Sequence, residues 1–469
     1  MDKYLLQVSV ACFENNNDAF VPELWANEGL AILQENMVMA NLVHRDFSME
    51  IANYGDVVNT RRPGTFGIRR KEDSGSVLPQ DASATLVSVP LNQHIYITFT
   101  IKDGEASKSF QDLVQIYLAP GMQGIARSID RILCGQVHRY FANRVGKLSG
   151  LTADNAKNTL LEARETLNKN LAYPQGRRIV LAPSAETAML KTDLFLKANE
   201  RGDGGIALQE AALGRVLGFD TYMAQNQPGI SSGADVIVPA DGANGAHAVG
   251  ATTLNLDAAA TGAVNGDYVV AATDGQPRYI VDNTSLTALV LDAGLKYAIA
   301  DADVVTVYKS CNVDGAYDAG YAKGVTVDGY TSTCEPQVGQ LLAFGDDANG
   351  VDRHVYTIVE AYVNPTNSSQ TILWLDRPLA KALSDDEKAH PGPYGSFNFA
   401  FHRDALALVT RPLALPRAGG VQSAVANYND VAMRVTMAYD IWSQGTVVTL
   451  DVLAGVALLD ENLGCVLLG

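Results

Sequence analysis

The chain has 469 residues, with 35 basic and 52 acidic side chains and a formal net charge of −17. At roughly 100–200 residues per domain, this length predicts about three structural units. The acidic excess argues against general binding to DNA or to membranes, because both surfaces carry negative phosphates. The five cysteines are widely spaced, with no CxxC pair and no Cys/His cluster at zinc spacing, which favours synthesis in a reducing cytosol.

The first residues, MDKYLLQVSVACFENNN, lack the basic start, long apolar run and cleavage site of a signal peptide. No stretch has the roughly 18–20 apolar residues that a membrane-spanning helix needs. We therefore expect no membrane partner. The next segment, FVPELWANEGLAILQENMVMANLVHRDF, predicts a helix and an extended arm.

Residues 61–103 contain two runs in which apolar and polar side chains alternate, the pattern of strands. The apolar positions are Val87, Val89 and Leu91 in one run, and Ile95, Ile97, Phe99 and Ile101 in the other. The preceding RRPGTFGIRRKEDSGS supplies turn residues. Together these segments predict a projecting two-stranded loop with a basic flank. That flank consists of Arg61, Arg62, Arg69, Arg70 and Lys71.

Two amphipathic helices follow the predicted loop. In the first, APGMQGIARSIDRILCGQVHRYFANRVG, Pro120 suits the first turn, where its missing N–H is not needed. Its apolar face is formed by Ile125, Ile129, Ile132, Leu133 and Tyr140, and its polar face by Arg127, Asp130, Arg131 and His138. The second helix runs from about Thr152 to Leu171, with an apolar stripe of Ala156, Leu160, Ala163 and Leu167. The segment QGRRIVLAPS then predicts a strand that ends in a turn.

Most of the negative charge lies in the middle of the chain. Residues 229–396 contain 21 acidic and 8 basic side chains, and short apolar runs there alternate with turn residues. This pattern predicts many short strands. Two stretches, beginning at Gly266 and at Gly339, share an apolar strand, an acidic turn, an Arg before a Tyr-containing strand and a closing Leu-Asp-x-x-Leu. We expect an acidic all-β domain inserted into an α+β host, either as two related β units or as two halves of one barrel. Coincidence among Val-rich strands is the alternative.

The C-terminal part predicts two long strands. Met433, Val435, Met437 and Tyr439 alternate toward the interior in the first, and GTVVTLDVLAGVALLD forms the second. Five tracts follow one another along the chain: VPELWANEGLAILQENMV, NYGDVVNTRRPGTFGIRRK, NQHIYITFTIKDGEASKSF, LGRVLGFDTYMAQNQP and MRVTMAYDIWSQGTVVTLDVLAGVALLDENLGCVLLG. In this order the chain resembles the major capsid (coat) proteins of tailed bacteriophages, which have the Hong Kong 97-like fold. The resemblance is greatest to coat proteins of short-tailed phages that carry an insertion domain.

The resemblance implies an α+β capsid fold with named regions. These are an N-terminal arm (1–60), an extended loop (61–103), a peripheral domain with a spine helix (104–150 and 425–469), an axial domain (151–228 and 397–424) and the insertion domain (229–396). It further implies self-assembly into hexamers and pentamers of an icosahedral head that encloses double-stranded DNA without sequence-specific binding. We expect assembly in the bacterial cytoplasm with a separate scaffolding protein and a portal, and a final location in the virion.

In such shells the extended loop lies over an adjacent subunit. The resemblance therefore implies that Arg61, Arg62, Arg69, Arg70 and Lys71 contact acidic groups of a neighbouring copy, where they set register. A solvated basic edge that discourages strand aggregation is the alternative.

No set of residues predicts catalysis, a cofactor or a metal site, so we expect a protein that is not an enzyme. The GISSG motif at Gly229–Gly233 matches the GxSxG of hydrolases, but a strand-like segment follows Ser231 where that motif needs a helix. The remaining functional alternative is a β-rich binding or decoration protein that recognises a glycan or a receptor through residues 229–396.

Overall fold

A computed structural model gives the fold of the chain. It describes residues 37–45, 57–62, 68, 70–71, 73, 85–102, 118–148, 150–192, 211, 213–230, 235–237, 242–331, 334–345, 353–416, 421–428, 431–442 and 444–469. The helix predicted within residues 20–47 lies mostly outside these residues. The chain divides into two compact units. Unit 1 takes its described residues from His94–Ile125 and Arg411–Leu453, and unit 2 from Glu35–Gln93, Ala126–Thr410 and Ala454–Gly469.

The described residues form three α-helices, 26 strands and four short 3-10 helices. The α-helices are α1 (Ala119–Gly135), α2 (Ala156–Lys169) and α3 (Pro183–Leu190). The strands outside the acidic segment are β1 (Val57–Arg62), β2 (Thr85–Pro90), β3 (Gln93–Lys102), β4 (Arg144–Gly146), β5 (Arg177–Leu181), β6 (Arg215–Val216), β7 (Phe219–Met223), β8 (Gly229–Ile230), β21 (Gly395–His402), β22 (Leu406–Arg411), β23 (Val421–Tyr428), β24 (Val431–Asp440), β25 (Gly445–Leu458) and β26 (Gly464–Leu468). Those within it are β9 (Asp235–Ile237), β10 (Thr253–Asn255), β11 (Tyr268–Ala271), β12 (Arg278–Ser285), β13 (Ala288–Leu291), β14 (Val305–Lys309), β15 (Cys311–Val313), β16 (Val325–Asp328), β17 (Leu341–Phe344), β18 (His354–Asn364), β19 (Asn367–Leu375) and β20 (Lys388–Pro391). The 3-10 helices are Met39–Asn41, Gln136–Asn143, Arg403–Ala405 and Glu461–Leu463.

Unit 1 is built on the antiparallel strands β23, β24 and β25, with β3 also paired to β25. The alternation predicted for β3 is confirmed, because Ile95, Ile97, Phe99 and Ile101 are less exposed than the residues between them. The first turns of α1 lie close to this sheet at two glycines. A Cβ at Gly124 would lie 3.1 Å from Ile97 Cδ1, and one at Gly121 would lie 3.4 Å from Leu450 Cδ1. The small residues thus allow the helix to approach the strands closely.

The inward alternation predicted for β24 is confirmed at three of its four positions. Met433, Val435 and Met437 are buried, whereas Tyr439 is 54 % exposed. Tyr439 lies one residue before the end of the strand. The period-two pattern gives the face of a residue but not how deeply it is buried.

Unit 2 contains a seven-stranded mixed sheet in the order β4-β26-β21-β5-β7-β6, with β8 also paired to β21. The pairs β5–β7 and β26–β4 are parallel, and β21 is antiparallel to both β26 and β5. Helix α2 packs on this sheet through the predicted stripe, and all four of its members are fully buried: Ala156, Leu160, Ala163 and Leu167. They share a core with Ile179, Phe219 and Leu467 from the strands.

The sequence was right about the apolar face of α1 and wrong about one polar residue. Ile125, Ile129, Ile132 and Leu133 are buried, and so is Tyr140 in the 3-10 helix that follows. Asp130, which was predicted on the solvated face, is fully buried. Its carboxylate accepts hydrogen bonds from the backbone N–H groups of Val38 (2.8 Å) and Ala40 (3.2 Å). A segment distant in sequence covers this face, which periodicity cannot reveal.

The acidic segment folds as two β modules, and its described residues contain no helix. The first β module (residues 235–309) is a six-stranded sheet in the order β10-β13-β12-β11-β14-β9. The second β module (residues 311–391) is a closed barrel in the order β16-β19-β18-β17-β20-β15. If the six strands of each module are numbered along the chain, both modules have the order 2-5-4-3-6-1. Each module has its own apolar core.

Backbone hydrogen bonds recur at equivalent points of the two modules. The Gly266 N–H donates to the Ile280 carbonyl, and the Gly339 N–H donates to the Ile358 carbonyl, each at 2.7 Å. These glycines are the positions at which the two similar stretches of sequence begin. The common strand order and hydrogen bonds are those expected of a duplicated module.

The two modules meet at buried polar groups. His390 Nδ1 of β20 lies 2.8 Å from Asp267 Oδ1 at the edge of β11, and both side chains are fully buried. Nearby, the Arg353 guanidinium lies 4.7 Å from the ring centroid of Tyr268 and 4.2 Å from that of Tyr279. These directional contacts hold the modules in one relative orientation.

The two ends of the acidic segment are neighbours in space. Gly229 pairs with Ser396 and Ile230 with Gly395 in the short antiparallel pair of β8 and β21. The first module also contacts the segment around β4: Leu148 N–H donates to the Gly275 carbonyl (2.8 Å) and Arg144 Nε donates to Gln276 Oε1 (2.8 Å). The chain therefore leaves and re-enters the seven-stranded sheet at one place.

We expect the substitution Ala302→Gly to stabilise the first module. Ala302 has φ of 61°, as does Asp386 at the equivalent turn of the second module. Alanine in this left-handed region is strained, and relief of that strain outweighs the greater chain entropy of glycine by about 0.5–1 kcal/mol. Urea unfolding would measure the gain. The exposed Ala259, which is not among the left-handed residues, is the control, since Ala259→Gly should destabilise. A loss of stability in Ala302→Gly would contradict the strain.

Candidate inter-subunit surface

The predicted basic flank begins in a strand and continues into an exposed segment. Arg61 and Arg62 are the last residues of β1, where their backbones pair with Leu86 and Thr85 of β2. Arg70 and Lys71 are exposed, and so is Ile68, at 100 % of its surface. Arg69 lies outside the described residues. Of the two strands predicted within residues 61–103, β2 pairs with β1, most of which precedes residue 61, and β3 pairs with β25. The structure also shows the exposure of two basic residues, and contact with a neighbouring copy stays a prediction.

The base of this strand pair is packed into unit 2. Val89 of β2 is fully buried with Ala407, Val409 and Ala457. Gly455 lies so close to the Pro90 carbonyl that a Cβ there would overlap it. Beyond the turn after β2, Gln93 Nε2 donates a hydrogen bond to the backbone carbonyl of Asp376 (2.8 Å). Packing and a hydrogen bond therefore hold the base of the β1–β2 pair in place.

Asp376 is the centre of a buried polar cluster at this base. Its carboxylate accepts hydrogen bonds from Gln136 Nε2 (2.8 Å), from Arg377 Nη1 (2.9 Å) and from the backbone N–H of Thr357 (3.0 Å). Gln136 follows α1, whereas Thr357 and Arg377 belong to the second β module. The cluster therefore joins the barrel, the end of the helix and the base of the loop.

A cavity of about 280 Å³ adjoins this cluster. Its walls include Pro90, Gln136, Arg139 and Arg377. Burial, followed by the nearby Arg377, lowers the pKa of Arg139. Burial also lowers the pKa of His138 to about 4, although Asp376 opposes this shift. His138 is therefore neutral at pH 7, and its Nδ1–H donates a hydrogen bond to the Gly135 carbonyl at 2.7 Å. The cluster is structural in character, with no nucleophile beside a base.

Sequence reasoning missed a second exposed surface, at the turn between β24 and β25 in unit 1. Trp442 is 97 % exposed and Ile441 is 77 % exposed. Large apolar side chains on a turn are a recognised mark of a protein contact. A signal was present in the sequence. In YDIWSQG the apolar pair Ile441 and Trp442 stands in the turn between two strand patterns.

No metal site and no membrane-spanning helix emerge from the described part of the chain. No group of three or more His, Cys, Asp or Glu side chains there is arranged to hold a metal ion. None of the helices found there is long and apolar enough to cross a membrane.

No family model matches the chain, and the search of curated proteins returned no match. Solved structures that resemble it include one from Mycobacterium phage Che8, with 12 % identity, a TM-score of 0.43 and coverage of 92 % of this chain and 90 % of that one. The capsid of cyanophage P-SCSP1u has 9 % identity, a TM-score of 0.42 and coverage of 88 % and 84 %. The mature capsid of bacteriophage PhiM1 has 9 % identity, a TM-score of 0.39 and coverage of 88 % and 82 %.

Two of these three structures are phage capsids, the class that the sequence resembles. Because the TM-scores are below 0.5, we base the functional proposal on the residues of this chain.

The buried Asp130 gives a test of how the N-terminal segment is held. Burial raises its pKa to about 6 from 3.8, against the hydrogen bonds from Val38, Ala40 and Met39. The folded protein holds the Asp130 proton more tightly than the unfolded chain does. The stability that this adds is fully present below the unfolded pKa of 3.8 and is lost as the pH rises through about 6. Relative to wild type, Asp130→Asn should therefore gain up to about 3 kcal/mol between about pH 4 and pH 8.

Urea unfolding of the unassembled chain at several pH values would measure this gain. Asp154→Asn, at an exposed aspartate, is the matched control for the loss of one carboxylate. A constant difference between Asp130→Asn and wild type across this pH range would contradict the raised pKa.

Proposed function

We propose that this chain is the major capsid protein of a tailed bacteriophage, a structural protein that assembles into a closed icosahedral head. One observation carries the proposal: the β1–β2 pair has a buried base at Val89, and after it in the chain Ile68 is fully exposed and Arg70 and Lys71 are exposed. An arm of this kind gains buried surface when it lies on another molecule. The chain order that resembles coat proteins makes that molecule a second copy.

Charge supports the same assignment. The chain carries −17 overall, and 21 acidic side chains lie in residues 229–396. A basic arm on an acidic protein is attracted to neighbouring copies, which favours a defined register between them. A container for DNA also benefits from an acidic surface, because many phosphate contacts would hold the genome in place. In this proposal the protein encloses DNA, uses a separate scaffolding protein and a portal, and becomes part of the virion.

The regions of the resemblance are part of the proposal. Residues 61–103 would form the extended loop, and residues 229–396 an insertion domain on the outer surface. The pairing of Gly229 with Ser396 supports an insertion, since both ends are at one place. The exposed Trp442 and Ile441 would form a further contact between copies. A β-rich binding protein that stays small is the alternative.

Particle formation tests the proposal. Purified chain, alone and with its neighbouring phage gene products, should sediment as closed particles of roughly tens of nanometres that negative-stain microscopy can image. The combined substitution of Arg61, Arg62, Arg69 and Arg70 by Glu should reduce particle yield by at least about tenfold. A loss of about 1.4 kcal/mol in the free energy of contact between copies lowers their association constant tenfold. The stability of the monomer should not change.

A variant with the same charge change elsewhere is the control. Substitution of the exposed Lys157, Lys191, Lys323 and Lys381 by Glu should leave more particles than the loop variant. Normal shells from the loop variant would contradict the role of the basic flank, while a monomer under every condition would contradict the shell function itself.

A deletion tests the insertion domain separately. Removal of residues 229–396, with a short Gly/Ser linker between the ends, should leave the seven-stranded sheet folded, because those ends are already adjacent. Some stability should be lost with the hydrogen bond from Gln136 to Asp376. Circular dichroism and hydrogen exchange of α2 would measure the outcome, and global unfolding of the remainder would rule out an independent insertion.

A further inference from the structure

The two β modules differ most at one hairpin. In the first module, β12 and β13 have 8 and 4 residues, whereas the equivalent β18 and β19 of the second have 11 and 9. Register identifies the counterparts, since Asp282 pairs with Val290 in one module and Glu360 with Trp374 in the other. A duplicated scaffold that has diverged at one hairpin indicates where the second module has gained a surface of its own.

The longer hairpin carries two aromatic side chains on its outer face. Trp374 is 36 % exposed and Tyr362 is 44 % exposed. They are diagonal neighbours across β18 and β19, and Trp374 Nε1 donates a hydrogen bond to Tyr362 Oη at 2.7 Å. The tyrosine hydroxyl accepts this bond and keeps its own hydrogen for an external acceptor. The counterpart of Trp374 in the first module is Val290.

Glycine lets the neighbouring strand approach the aromatic pair closely. Gly324 precedes β16, and a Cβ at this position would overlap Ile372 and lie 3.2 Å from Trp374 Nε1. The glycine backbone therefore borders this edge of the indole, and the exposed part of the ring is the part that a ligand can reach.

The rest of the hairpin is polar but uncharged. Residues 361–375, AYVNPTNSSQTILWL, contain no charged side chain. The amides at the tip are ordered, because Asn364 Nδ2 donates to Gln370 Oε1 (2.9 Å) and Gln370 Nε2 donates to Asp314 Oδ2 (2.7 Å). Glu360 pairs with Trp374, and Asp314 accepts the hydrogen bond from Gln370. Arg131, which donates to the Val359 carbonyl (2.9 Å), interacts electrostatically with Glu360. The two carboxylates disfavour an anionic ligand and can accept hydrogen bonds from hydroxyl groups.

We propose that this face of the second β module is a binding site for an uncharged glycan. The C–H groups of a pyranose ring carry partial positive charge and stack on the negative face of an aromatic ring. Tyr362 and Trp374 provide such faces, and neutral amides and hydroxyls around them provide hydrogen bonds to sugar hydroxyls. A nucleic acid or an acidic polysaccharide would need cations, and a protein hot spot would favour Arg or Met beside the aromatics. The site does not depend on assembly of the chain.

A microarray of neutral and anionic glycans, probed with the full chain, tests the proposal. We expect binding to neutral glycans and not to anionic ones. Titration with the best neutral glycan of the array, followed by tryptophan fluorescence and calorimetry, should then show that Trp374→Ala and Tyr362→Ala each weaken binding by about tenfold or more. Trp374→Phe keeps a ring and should retain an intermediate affinity.

The first module supplies the matched control, because Val290→Ala changes the position equivalent to Trp374 and should leave glycan binding unchanged. Three outcomes would overturn the proposal. Wild type could bind no neutral glycan, or only anionic ones. Trp374→Ala could bind as well as wild type. Sedimentation could show that Trp374→Ala alters self-association while glycan binding is absent, in which case the face is a contact between copies.

Discussion

Burial of the Asp376 carboxylate is the constraint on which the arrangement around the loop base depends. A buried charge is costly unless hydrogen bonds satisfy it. Here the donors come from three places: the 3-10 turn after α1 (Gln136), strand β18 (Thr357) and the adjacent Arg377. Gln93 binds the carbonyl of the same residue. Because these bonds can form together in only one geometry, the barrel, the end of the helix and the root of the β1–β2 pair are positioned together.

Much of the fold could be predicted because its signals are local. The stripe of α2, the alternation of β3 and the apolar face of α1 follow from periodicity alone. The structure buries the residues of the two helices and leaves the apolar residues of β3 less exposed than those between them. The sequence could not place Asp130, because the N–H groups that bind it belong to Val38 and Ala40, about ninety residues away. The strand predicted in QGRRIVLAPS is confirmed as β5. The turn predicted at its end is wrong, because helix α3 begins there at Pro183.

The candidate surface was less accessible to sequence reasoning than the fold. Clustering of Arg61, Arg62, Arg69, Arg70 and Lys71 is visible in the sequence, but what they contact depends on a second molecule. Trp442 and the pair of Tyr362 and Trp374 were missed because exposure depends on tertiary packing. A tryptophan within a strand pattern is usually a core residue. The structure shows the exposure of Trp374 directly, and the comparison of the two modules shows that its counterpart is Val290.

The duplicated module also bears on how such a chain can change over time. The hydrogen bonds that close each module lie at Gly266 and Gly339, at the opposite end from the hairpin tips. Lengthening a hairpin therefore adds paired residues at the solvent end and leaves the core contacts as they were. The loop itself does not lengthen, because two residues join the strands in both hairpins. One hairpin can thus lengthen while the equivalent hairpin of the other module keeps its length.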